Sequence, residues 1–281
     1  MRVGVFDSGI GGLTVLRTLI KEYPNNEYIY YGDTLNLPYG SKTINELKEL
    51  SSKDIEFLLS KQVDIIIIAC GTISSNCLDY LKNKYKLPIY DIITPTIKYL
   101  NNSNYNNIGI IATERTIDSH VFKNNLNKNV YEIKTPELVP IIENNHLDNL
   151  DIVLNKYLEQ YKNKLDILVL GCTHYPVIKN NIYKYLNEKI ELLDMSTLLL
   201  NKLTEDTTSS INIYFSKLND TLINNTKRIL ELDNINIYED SLWSEPQIVH
   251  NNKRRYEEKK QERMKWVHFN SCFFDEYIII I

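Results

Sequence analysis

The sequence predicts an α/β protein built from a duplicated parallel-sheet domain, and three observations carry the prediction. Short apolar runs alternate with amphipathic helical stretches from the first residues onward. The run Arg2-Val-Gly-Val-Phe6 is echoed by Asn107-Ile-Gly-Ile-Ile111, with Gly4 matching Gly109 at a spacing of 105. The run Asp64-Ile-Ile-Ile-Ile-Ala-Cys70-Gly-Thr72 is echoed by Asp166-Ile-Leu-Val-Leu-Gly-Cys172-Thr-His174, with the cysteines 102 residues apart. Two echoes at nearly one offset point to duplication. The alternative is chance recurrence of common strand sequences.

Taken in order, Arg2 to Phe6 reads as a strand and Leu13 to Tyr23 as a helix entered through Asp7-Ser-Gly-Ile-Gly-Gly12. Tyr28 to Tyr31 is a strand, Glu46 to Ser60 an amphipathic helix, and Ile65 to Cys70 the third strand. A helix to Tyr85 and a short strand around Ile89 follow. The second half predicts a helix from Ile117, a strand over Val130 to Ile133 and helices to Lys162. A strand over Ile167 to Leu170 and a helix over Tyr175 to Leu186 come next. Ile211 to Phe215, Thr221 to Leu232 and Ile235 to Tyr238 read as strand, helix and strand. The expected division is a first α/β domain over 1–95, completed by 207–239, and a second over 96–206. Residues 240–281 form a C-terminal extension holding both tryptophans, Trp243 and Trp266, and a mixed-charge segment from Lys253 to Lys265.

Length and composition narrow the function classes. A chain of 281 residues with 43% hydrophobic content can bury real cores. A net charge of −4 argues against a dominant nucleic-acid surface. No apolar stretch approaches a membrane span, and Asp7 falls where a signal peptide needs apolar residues, so a cytoplasmic protein without a membrane partner is expected. The four cysteines include no CxxC and no zinc-finger spacing, so no metal is expected. Cys77 and Cys272 read as small buried hydrophobes.

Cys70 and Cys172 each follow an apolar run that reads as a buried parallel strand. That places both thiols at the carboxyl edge of a sheet, where open α/β folds bind ligands. Two thiols on opposite sides of one cleft can take a proton from one face of a carbon and return one to the other, which is the work of a racemase or epimerase. Each cysteine precedes an expected helix N-terminus, which favours thiolate. His174 stands two residues past Cys172 as a proton partner. The loop after the first strand presents Asp7 and Ser8 beside N–H groups suited to an anion. It is neither GxGxxG, because Thr14 occupies the third glycine position, nor GxSxG. Asp33 sits just past a strand, and Pro38-Tyr39-Gly40 is a turn.

These residues resemble glutamate racemases of the aspartate/glutamate racemase superfamily. The resemblance rests on Val5-Phe-Asp-Ser-Gly-Ile-Gly-Gly-Leu-Thr14, Tyr31-Gly-Asp-Thr34 with Pro38-Tyr-Gly40, Ile68-Ala-Cys-Gly-Thr72, Leu170-Gly-Cys-Thr-His-Tyr-Pro176 and, more loosely, Pro136 to Glu143. In order and spacing it covers residues 1 to about 238. It implies two pseudo-symmetric α/β domains with the active site between them, and cofactor-independent, two-base racemisation of glutamate. D-glutamate for peptidoglycan would be the product. Cys70 and Cys172 would be the bases, the first acting on the D and the second on the L enantiomer, with Asp7 and His174 assisting. Asp7, Ser8, Tyr39, Gly40, Gly71, Thr72, Thr113, Thr116, Thr173 and His174 would hold the amino-acid substrate. Asp33 and Glu143 match acidic positions near the site. The family often forms dimers, which leaves a homodimer open.

Two departures stand out. The family pattern has Asn where this chain has Gly71, and a cysteine is often found where this chain has Thr135. Losing an amide donor to a substrate carboxylate would cost about 1.5–3 kcal/mol. Aspartate or another amino acid therefore remains an alternative substrate, and a racemase-like binding protein with little turnover a third reading.

Overall fold

The structure is a computed structural model that describes residues 1–199, 203, 209–233 and 235–240. The expected extension beyond Asp240, with its charged segment, its tryptophans and Cys272, lies outside the described residues.

The chain runs β1 (Arg2–Asp7), α1 (Leu13–Glu22), β2 (Glu27–Gly32), α2 (Ile44–Ser60), β3 (Ile65–Ile68), α3 (Gly71–Lys84), β4 (Ile89–Asp91) and α4 (Ile93–Asn101). It continues with β5 (Asn107–Ala112), α5 (Glu114–Asp118), α6 (Val121–Asn125), β6 (Asn129–Lys134), α7 (Leu138–Glu143), α8 (Leu150–Leu158), β7 (Ile167–Leu170) and α9 (Lys179–Tyr185). The described elements end with β8 (Glu191–Asp194), β9 (Ser210–Phe215), α10 (Asp220–Leu230) and β10 (Asn236–Glu239). One sheet has six strands in the order β10-β9-β2-β1-β3-β4, and the other has four in the order β6-β5-β7-β8. Every pairing is parallel. The architecture is the expected pair of parallel-sheet α/β domains, and β9 joins the first sheet through β2.

The two echoes occupy equivalent places. β3 lies beside β1 in the first sheet and β7 beside β5 in the second. The aspartate that opens each cysteine motif has a structural task. Asp64 N–H donates to the Arg2 carbonyl (2.8 Å) while its Oδ2 accepts from Arg2 N–H (2.8 Å). Asp166 does the same with Asn107, at 2.8 Å in both directions. Each clamp sets the register that carries its cysteine to the far end of the strand.

Side-chain alternation explains why the two sheets share a core. Val3, Val5, Ile65, Ile67 and Ala69 of the first sheet pack in one cluster with Ile108, Ile110, Ala112, Ile167 and Val169 of the second. The intervening residues turn to the outer faces. Phe6, Ile66 and Ile68 meet Leu47, Phe57 and Leu58 of α2. Ile111, Leu168 and Leu170 meet Leu154, Leu158 and Ile182 of α8 and α9. Central strands buried on both faces are the reason they read as unbroken apolar runs.

Several boundaries differ from expectation for local reasons. α2 starts at Ile44, not Glu46, because Thr43 and Glu46 form a capping box (Thr43 N–H to Glu46 Oε2, 2.8 Å; Glu46 N–H to Thr43 Oγ1, 3.3 Å). The helix expected from Ile117 starts at Glu114 under the Thr113 cap and breaks at His120, whose φ is 52°. The helix expected from Tyr175 begins as a 3₁₀ turn over Tyr175–Ile178, with Pro176 in its first turn. β3 stops at Ile68, and Cys70 is the N-cap of α3.

Candidate active site

The carboxyl ends of β1, β3, β5 and β7 carry most of the predicted residues, Asp33 and Tyr39-Gly40 follow β2, Glu143 ends α7, and the loops beyond the strands meet across the two sheets. Thr173 Oγ1 donates to Asp7 Oδ1 (3.4 Å), and Thr14 Oγ1 donates to the Thr173 carbonyl (3.1 Å). Thr72 and Thr113 share a hydroxyl hydrogen bond of 3.0 Å, and Thr113 shares another of 3.0 Å with Thr116. Asn76 Nδ2 donates to the Arg115 carbonyl (3.3 Å). Asn76 lay in no motif, and Thr14 closed one without a role assigned to it, because a bond to a carbonyl on the opposite loop leaves no sequence pattern.

The approach of the loops is closest at two glycines. A Cβ at Gly71 would stand 2.8 Å from the Gly171 carbonyl oxygen. A Cβ at Gly11 would collide with Thr173 Oγ1 and lie 2.5 Å from His174 Nδ1. The glycines let backbone meet backbone where any larger residue would hold the loops apart. Both thiols are covered as a result, Cys70 at 4% and Cys172 at 6% exposure. Each cysteine packs in the outer core of its own sheet, Cys70 with Phe6 and Ile68 and Cys172 with Leu170 and Ile111.

Around the first thiol, Cys70 Sγ donates to Ser8 Oγ at 3.7 Å. Burial pushes this thiol up to about 12, and the neighbouring Asp7 charge adds to the rise, while the Ile73 N–H and the Ser8 hydroxyl oppose it. The expectation that a helix N-terminus would favour thiolate at Cys70 is therefore corrected. Desolvation outweighs the helix end in this conformation. The anion nest also needs correction. Asp7 Oδ2 itself accepts from Gly9 N–H (3.2 Å) and Gly12 N–H (3.0 Å), so its own carboxylate fills those donors. Burial raises the Asp7 pKa, opposed by the His174 charge and the two N–H groups.

Around the second thiol, His174 Nδ1 lies 3.6 Å from Cys172 Sγ, and His174 Nε2 lies 2.9 Å from Glu143 Oε1. Burial opposes the charged imidazole, but its bonds to Cys172 and Glu143 outweigh that and raise its pKa well above the ordinary histidine value. Glu143→Gln is expected to move the His174 pKa down, as read by NMR titration. The loss of a charge-assisted bond costs about 1.5–3 kcal/mol. A raised histidine pKa stabilises fully below about 6.5 and loses that contribution as pH rises through the folded value. The stability gap between wild type and Glu143→Gln should thus narrow as pH rises.

Tyr39 and Gly40 reach the seam differently from expectation. Gly40 lies against Thr113, where a Cβ would stand 3.1 Å from the Thr113 Cβ. The Tyr39 ring turns inward, almost fully buried, and its hydroxyl donates to Asp33 Oδ2 (2.7 Å). Asp33 is fully buried beneath that turn. Thr135 is buried and shares a 2.6 Å hydroxyl bond with Tyr175. Among the described residues, no group of three or more His, Cys, Asp or Glu side chains is placed to hold a metal ion. No described helix is long and apolar enough to cross a membrane.

Two thiols therefore stand at equivalent strand ends of the two sheets, and comparison with known proteins identifies the family. A family profile described as Asp/Glu/Hydantoin racemase matches residues 17–203. A glutamate racemase of Fusobacterium nucleatum is 42% identical over 225 residues, covering 77% of this chain and 84% of that protein. The glutamate racemase of Aquifex pyrophilus is 36% identical over 243 residues, covering 83% and 95%. A crystal structure of glutamate racemase from Francisella tularensis with D-glutamate superposes with a TM-score of 0.77 at 30% identity, covering 87% of this chain and 98% of that one. The chain belongs to the Asp/Glu/hydantoin racemase family and is a racemase, that is, an isomerase.

Proposed function

We propose that this chain interconverts L- and D-glutamate with Cys70 and Cys172 as the two bases and no cofactor. The observation that carries the reading is the meeting of two thiol-bearing strand ends at the Gly71–Gly171 seam. Cys70 takes the Cα proton of the D enantiomer while Cys172 delivers one to the opposite face, and the reverse holds for the L enantiomer. The Cα–H electron pair stays on the carbon until the second thiol supplies a proton. Asp7 serves Cys70, and the Glu143–His174 pair serves Cys172, His174 holding the proton that Cys172 exchanges.

Substrate enters when the loops part, because the seam leaves both sulfurs covered. Ser8, Thr72, Thr113, Thr116 and Thr173 then supply hydroxyls, and Tyr39-Gly40 and Gly71 supply backbone N–H groups, to the two carboxylates. The substrate ammonium beside Asp7 offsets the carboxylate charge that raises the Cys70 thiol, which eases thiolate formation. The product fits D-glutamate supply for peptidoglycan in the cytoplasm. The protein's partner is then the small amino acid, with neither nucleic acid nor membrane involved, and a homodimer fits the family. Gly71 permits one second reading, aspartate, since it lacks the side-chain amide with which an asparagine would hold a glutamate carboxylate.

Incubation with single L- and D-amino acids in deuterated water, followed by NMR at Cα, tests the assignment. Exchange with inversion in glutamate is expected. Faster exchange in aspartate would establish the second reading, and no exchange in any amino acid would leave a binding protein.

A further inference from the structure

A cluster of buried acids lies behind the Pro38-Tyr39-Gly40 turn. Asp33, at the end of β2, accepts from Asn36 Nδ2 (2.9 Å to each oxygen), from Ser216 Oγ (2.8 Å) and from the Tyr39 hydroxyl (2.7 Å). Asp54, on α2, lies 3.2 Å from the same Tyr39 hydroxyl, through Oδ2, and is 1% exposed. No other hydrogen bond to the Asp54 side chain is found among the described residues. The Tyr31 hydroxyl is buried in the field of both acids, beside Ser216.

One phenol hydrogen cannot satisfy two carboxylates in a dry interior. The pair is satisfied if Asp54 carries a proton, donates it to Tyr39 Oη, and thereby aims the phenol O–H at Asp33. Apart from the phenol, Asn36 and Ser216 donate to Asp33, whereas among the described residues none but the phenol faces Asp54, so the proton belongs on Asp54.

We propose that Asp54 is a positioning residue that shares one proton with Asp33 through Tyr39 and so clamps the Tyr39-Gly40 turn beside the site. The arrangement ties three elements: β2 through Asp33, α2 through Asp54, and the end of β9 through Ser216. The charged and titratable groups facing Asp54 are Asp33, Tyr39, Tyr31, Asp7 and Lys53. Burial pushes the Asp54 carboxyl well above the ordinary carboxylate range, and the Asp33 charge adds to the rise. Ionisation of Asp54 would put a second anion against the phenol and loosen the turn. That the loosened turn impairs substrate binding rests on the reading given above.

An aspartate whose folded pKa is raised costs stability as pH climbs from about 3.9 toward the folded value. Asp54→Asn keeps the donor to Tyr39 and removes that cost. Its melting temperature should therefore match wild type near pH 4 and exceed it by about 3 °C or more at pH 8. Amide hydrogen exchange at Tyr39 and Gly40, corrected for intrinsic rate, should quicken with pH in wild type and stay level in Asp54→Asn. Tyr39→Phe, which breaks the link at its centre, should loosen the turn about fivefold near pH 4, an opening change of about 1 kcal/mol, and the gap to wild type should narrow as pH rises. KM for glutamate should rise with pH in wild type more than in Asp54→Asn, with kcat unaffected by the substitution.

A melting difference that stays flat from pH 4 to 8 overturns the shared proton. Turn exchange that is alike in wild type and Tyr39→Phe near pH 4 overturns the clamp. If wild type turns over no glutamate, the substrate assignment falls, while the melting and exchange measurements still decide the clamp.

Discussion

Cys70→Ser and Cys172→Ser should each lower racemisation of glutamate about a thousandfold or more, measured by chiral chromatography from either enantiomer. A serine hydroxyl is a far weaker acid than a thiol, and general acid–base groups of this kind contribute about 10²- to 10⁴-fold. The two variants should fail differently. With Cys172 replaced, Cys70 still faces the proton of D-glutamate, so slow deuterium exchange of the D enantiomer without inversion should persist. With Cys70 replaced, the residual exchange should belong to L-glutamate. Both single variants racemising at the wild-type rate would end the two-thiol assignment. Both substitutions are small, so the folded state should survive, and circular dichroism checks that the losses are chemical.

Gly71→Ala should expose both thiols. The added Cβ would stand 2.8 Å from the Gly171 carbonyl, a backbone atom that cannot swing aside as a side chain would. Forcing atoms into a filled interior costs about 1–3 kcal/mol. Here the strain falls only on the state with the loops in contact, so it shifts the balance toward parted loops by about 5- to 150-fold. Iodoacetamide labelling of Cys70 and Cys172, followed by mass spectrometry, should accelerate accordingly, while Cys77, buried against α2 away from the seam, should label as in wild type. Gly71→Asn should part the loops in the same way and also add an amide donor, so it should lower KM for glutamate relative to Gly71→Ala. Unchanged thiol labelling in both variants would show that the seam closes without help from the glycine.

The place of both thiols just past a buried strand was legible in the sequence, because each cysteine motif is local. An aspartate, an apolar run, a small residue and a thiol occur within seven positions, and a buried parallel strand reads as an unbroken apolar run. His174 was legible for the same reason, two residues from its sulfur. The task of Asp64 and Asp166 was not, although both were quoted in the echo. They clamp a neighbouring strand some sixty residues away, a distance at which no spacing rule operates.

Burial corrected the electrostatics that position alone implied. The end of a helix beside Cys70 pointed to thiolate, yet desolvation and Asp7 together push that thiol up to about 12. The loop after β1 read as an open anion nest, yet Asp7 turns back and takes two of its N–H groups. Tyr39 read as a turn residue at the cleft, yet its phenol points into a buried acid pair whose second member, Asp54, sits in an ordinary-looking amphipathic helix. In each case the deciding quantity is the number of atoms around a charge, and that number is set by packing from remote segments.

The sequence by itself determined the class of fold, the two thiols and the histidine beside one of them, because period, length and turn residues are short-range properties of a chain. The tertiary structure alone decided that the strand ends meet at Gly71 and Gly171, that both sulfurs are covered, and which acids are buried side by side. Those depend on desolvation and on contacts between segments far apart in the chain, and neither is written in local order.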